Sequence, residues 1–121
     1  MGNFKVSNQS NRSDRDIIRV RAAIIEEIFR DRNVGYVTIS YGLMGEFDMI
    51  HMNLVTLVVN QDTIIQNHAG RDMLLRYLEK GMTVDAEFSN RMTSSNPPQS
   101  QAFKITVLNR RRSSNITVDR V

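Results

Sequence analysis

Apolar residues recur at helical spacing between Ser13 and Arg32, where Ile17, Val20, Ile24 and Ile28, flanked by Ile18, Ile25 and Phe29, form one broad face. That is the stripe an amphipathic helix buries. Ser13, with Asp16 three residues on, supplies a capping box in which Asp replaces the usual Glu. After Asn33 the side-chain period shortens to that of a strand: Val37, Ile39 and Tyr41 alternate with Tyr36, Thr38 and Ser40, and Gly42 to Gly45 turn the chain. Phe47 to Val59 alternates long enough for one curved strand or two segments divided near Asn53, and Asn60 to Asp62 carry turn chemistry before a return strand of a hairpin over 63–66. Met73, Leu74, Tyr77 and Leu78 then mark a second helix over 71–80, closed by Gly81 as a left-handed cap. Val84, Ala86 and Phe88, then Phe103, Ile105 and Val107, alternate with polar residues as a fourth and a fifth strand. Asp85 and Glu87 fall on the same kind of face as Lys104, so cross-strand pairing accounts for those charges.

The predicted fold is α+β and mainly β. Five strands form an OB-like barrel, with one helix between strands three and four and an extra N-terminal helix packed across one end. The stretch Gly70 to Asn109 carries this expectation, because a helix, a glycine stop and two strands joined by a loop containing Pro97 and Pro98 follow the order of an OB barrel between its third and fifth strands. Within it, Tyr77-Leu78-Glu79-Lys80-Gly81-Met82-Thr83-Val84-Asp85-Ala86-Glu87 resembles the helix-to-strand junction of the bacterial single-stranded DNA-binding proteins. Arg91 falls where that family places a basic residue at the start of its long hairpin loop, and 103–109 resembles the returning strand. The resemblance implies an OB-like barrel that binds single-stranded nucleic acid. The chain departs from the family in having no tryptophan for base stacking, with Ser94 and Ser95 in that region, and in placing a helix before its first strand. A Sm-like barrel also begins with a helix and is the alternative. The Sm-like barrel is disfavoured because it places no helix before its fourth strand, so a structure lacking a helix over 71–80 would overturn the OB choice.

Composition bounds the organisation: 121 residues, 40% of them hydrophobic and 24% charged, fit one soluble domain. A polar tail at 1–12 precedes a domain at 13–109, and a basic segment follows at 110–121. The chain has no cysteine, which removes disulfides and thiolate metal sites. Apolar runs such as Leu54 to Val59 are too short to span a bilayer, and the first thirteen residues lack the apolar core of a secretory signal, so the expected location is cytoplasmic. The Asn-x-Ser/Thr triplets at Asn8, Asn11 and Asn115 are then chance matches. Net charge is +3, unevenly spread: seven basic and five acidic residues over 1–32, three and seven over 33–90, six and one over 91–121. Phosphate binding would therefore draw on the ends of the chain rather than its middle.

Single-strand binding needs exposed aromatic rings beside a basic track. Tyr36, Tyr41, Arg91 and Lys104 are the candidates, against the plainer reading in which the tyrosines cap the barrel mouth. Arg110, Arg111 and Arg112 form the strongest basic run, as a phosphate-contacting flap or a solvated tail. Phe88 and Phe103 lie in the apolar register and read as core. His51 and His68 have no partners at metal-ligand spacing, and no nucleophile or phosphate-cradling pattern accompanies them, so neither a metal, a cofactor nor an enzymatic activity is expected. Met44, Met49 and Met52 are core filler or an adaptable protein-binding surface. The expected function is non-catalytic binding of single-stranded nucleic acid by phosphate contacts and modest stacking. The alternative is a protein-interaction module or homodimer using the N-terminal helix or a sheet edge.

Overall fold

The computed structural model describes residues 16–109, and these form a barrel of strands. β1 (Ile17–Asp31), β2 (Val34–Met44) and β3 (Ile50–Val59) make an antiparallel meander. A short β4 (Ile64–Asn67) follows, then β5 (Thr83–Ser89) and β6 (Gln99–Asn109). β1 pairs on its other side with β5, and β5 pairs with β6. The barrel closes where Thr56, Leu57 and Val58 of β3 run parallel to Gln99, Ser100 and Gln101 of β6. β4 lies parallel to β6 further along, at Ile64↔Lys104 to Asn67↔Val107. Inside, Ile25, Ile39, Leu57, Phe88 and Ile105 are fully buried.

Neither predicted helix forms. The segment from Ile17 to Asp31 is a strand of 15 residues, rich in the β-branched side chains that suit a pleated surface. Two bulges explain its helical appearance. Register slips between Val20 and Ala23 on the β5 side and between Ile25 and Glu27 on the β2 side. Each adds a residue to the alternation. Inward positions therefore fall at Ile18, Val20, Ala23, Ile25 and Ile28, a spacing of alternately two and three residues. Ala22 enters the left-handed region at φ 55, and its N–H donates to Asp85 Oδ1 at 2.9 Å. Asp85 thus satisfies a donor that the bulge removes from the ladder.

The second helix is replaced by an extended segment with one 3-10 turn at Leu75–Tyr77. Its backbone bonds run outward instead of along a helix: Met73 N–H donates to Ile65 O at 2.8 Å, and Gly81 N–H to Ile25 O at 2.8 Å. Arg30 Nη2 donates to Leu78 O at 2.7 Å. Leu78 and Met82 plug the core, Met73 and Leu75 pack against it, and Leu74 and Tyr77 face outward. Gly35 admits this packing, because a Cβ there would lie 2.7 Å from Leu75 Cδ1. Gly81 does adopt positive φ, at 93°, as the left-handed position requires.

Five barrel strands were expected and five occur, but they are a different five. β1 replaces a helix, and β4 pairs in parallel with β6 instead of returning along β3 as a hairpin. The turn at Asn60 is as expected: Asn60 Oδ1 accepts the Asp62 N–H at 3.0 Å. The tail at 1–12 and the segment 110–121 lie outside the described residues.

Candidate functional site

The outer face of the β1–β2–β3 meander brings two aromatic rings together. Phe29 and Tyr36 are register partners, so their side chains share one face, with ring centroids 6.1 Å apart and planes inclined by 36°. Phe29 is 64% exposed, and Tyr36 is half-buried beside it. Tyr36 pairs on its other side with Val58 of β3. Val58 in turn lines an open cleft of about 340 Å³ with Arg91, Met92, Thr93 and Gln99 to Gln101. A strip of two rings, an aliphatic side chain and a guanidinium therefore crosses the sheet. Arg32, exposed in the turn from β1 to β2, stands at the same end as Phe29.

The loop from Asn90 to Pro98 that carries Arg91 is organised by hydroxyls. Thr93 N–H donates to Gln99 O at 3.0 Å and Gln99 N–H to Thr93 Oγ1 at 2.9 Å, and the Thr93 and Ser95 hydroxyls bond at 2.6 Å. Ser95 Oγ donates to Pro97 O at 3.0 Å, and the Asn96–Pro97 peptide is cis. Thr56 N–H donates to Pro98 O at 2.8 Å, which fastens the loop to β3. Arg91 N–H donates to Ser89 Oγ at 3.0 Å, while its side chain reaches solvent.

The other expected site residues go elsewhere. Tyr41 belongs to the core, with its ring edge-on to Phe88 at a centroid distance of 6.1 Å, and burial raises its phenol above the ordinary value. A ring so enclosed has no open side for a base. Lys104 lies on the outer face of β5–β6, opposite Glu87, which also meets Arg19 at 3.7 Å. The alternation correctly predicts that Lys104 faces Glu87 across the strands, but the ion pair of Glu87 is with Arg19, and Asp85 accepts the Ala22 N–H. The depression there is lined by Arg21, Asp85 and Thr106 as well. Arg110, Arg111 and Arg112 lie outside the described residues. Phe88 is fully buried as expected, whereas Phe103 is only half-buried.

Phe29 was missed because helical spacing placed it on a buried flank. Its register partnership with Tyr36 becomes visible only once the segment is a strand. Among the described residues no group of acidic or histidine side chains could hold a metal ion, and no helix is long and apolar enough to cross a membrane.

Comparison with protein-family models, with curated proteins and with solved structures returned no match. The resemblance of 70–109 to the bacterial single-stranded DNA-binding proteins therefore gains no support there, and the helix in its junction is absent. What stands is a closed barrel of five strands. Of the residues that carried the resemblance, Leu78 and Val84 are core and Tyr77 is 51% exposed.

Proposed function

We propose that the protein is an OB-like barrel that binds single-stranded nucleic acid without catalysis, across the outer face of β1–β2–β3. The exposed Phe29–Tyr36 pair carries this reading. A phenylalanine on a strand is costly to leave in water, and two adjacent rings offer the sequence-tolerant stacking surface that bases use. Arg32 in the β1–β2 turn and Arg91 in the β5–β6 loop flank the rings, and those two loops and the second and third barrel strands are where OB barrels hold oligonucleotides. The absence of a helix at 71–80 removes the ground on which the sequence favoured an OB-like barrel over a Sm-like one, and the support for OB-like now rests on strand order. β1 lies between β2 and β5, and the ring closes through a parallel seam of β3 with β6 rather than by a hairpin, as a five-stranded Greek-key barrel requires.

Glu26 and Glu27 lie on the same sheet, with Glu26 Oε2 accepting the Ser40 hydroxyl at 2.6 Å. They limit the electrostatic share of binding. With two cations facing the strip, log K for single strands should fall against log salt with a slope of about −1.4. Fluorescence anisotropy with labelled oligonucleotides tests this directly. Phe29→Ala and Tyr36→Ala should each weaken binding by about 1–3 kcal/mol, and Lys104→Ala should leave it unchanged. Absence of binding at low salt would overturn the proposal.

A further inference from the structure

Beyond Ser40 the β2–β3 hairpin leaves the barrel as a two-stranded ribbon, paired from Gly42↔Met52 to Met44↔Ile50 and turned at Gly45 to Met49. β1 pairs with β2 no further than Ser40, and β6 meets β3 only at Thr56 to Val58. Among the described residues, no strand pairs with the edge of β3 from Ile50 to Val55. Natural sheets blunt such edges with lysine, proline or a bulge. This one has none of these, since Ile50 to Val59 contains no Asp, Glu, Lys, Arg or Pro.

The ribbon is also apolar where it meets water: Leu43, Met44, Met49, Ile50, Met52 and Leu54 are about half exposed or more, and Phe47 is 89% exposed. Met44, Ile50, Met52 and Leu54 share one face and Leu43 lies on the other, so the apolar surface wraps the ribbon. Summed over both faces it is on the order of 800 Å², what one partner gives to a standard interface. We propose that the occupant is a second copy of this chain, whose β3 adds antiparallel along the Ile50–Val55 edge about a two-fold axis. Such a contact is self-complementary: with the axis at Met52, that residue meets its own equivalent and Ile50 lies opposite Leu54 of the second copy. The edge carries no Asp, Glu, Lys or Arg, so no carboxylate, ammonium or guanidinium meets its like at the centre. The acidic Glu46 and Asp48 sit at the turn, away from the axis.

Sedimentation over a wide concentration range, without nucleic acid, should show a species of twice the 13.9 kDa chain mass. Met52→Lys sets two ammonium groups beside the axis and should return the mass to one chain with an unchanged circular dichroism spectrum. If that variant fails to fold, a cysteine decides. The chain has no cysteine of its own, so Met52→Cys should oxidise to a disulfide-linked dimer. Ile50→Cys, whose equivalents stand several residues apart across an antiparallel pair, should not. A single-chain mass for the unmodified protein at every concentration, or cross-linking through Ile50→Cys but not Met52→Cys, would overturn the proposal.

Discussion

Tyr41 shows how much one side chain's setting decides. It ends the run of inward residues on β2 and is 9% exposed, and its burial holds the neutral phenol in preference to the phenolate. Its pKa is raised in the folded chain, so the corresponding stability is fully present below the unfolded value of 10.0 and is lost as pH rises through the folded value. Urea unfolding at about pH 9 and about pH 11 should therefore show a larger alkaline loss for the wild type than for Tyr41→Phe. Equal losses would mean that the phenol is solvated. Phe29 is the opposite case, an apolar ring in water that no core residue explains.

β1 is the element on which the reading of the sequence turned. A strand whose inward side chains fall two and three residues apart mimics a helix stripe, and the mimicry comes from bulges that only pairing with β2 and β5 reveals. Later strands with regular alternation, such as Val84, Ala86 and Phe88, were legible because nothing interrupts their period. The segment 71–80 misled for another reason, since its apolar residues fill gaps in a core that the strands build. Of the candidate site, Tyr36 and Arg91 were legible from register and loop position, while the strip they share with Phe29 depends on β1 being a strand. The bulge also makes a stability prediction. Ala22 has φ 55, where a side chain costs about 1–2 kcal/mol and glycine does not. Ala22→Gly should raise stability by about 1 kcal/mol after the extra unfolded-state entropy of glycine is deducted, read as a higher melting temperature. A lower one would show that Asp85 and the bulge hold a different backbone there.

Over the whole molecule, charge and aromatic surface are divided between faces. Arg19 pairs with Glu87, and Lys104 stands opposite Glu87 in register, on β1–β5–β6, while the rings lie on β1–β2–β3. Between those surfaces runs the closing seam, three residue pairs long, much shorter than the ladder of ten pairs joining β2 to β3. Local opening follows the least secured contacts, so the seam is where the ring should part while its other ladders hold. In hydrogen exchange, the amides of β3 and β6 along it should lose protection before those of β2. A nucleic acid laid over Val58 and Arg91 would bridge both sides of the seam and slow that exchange. The proposed ligand would thus act as a clasp, binding the molecule at the joint where it most easily opens.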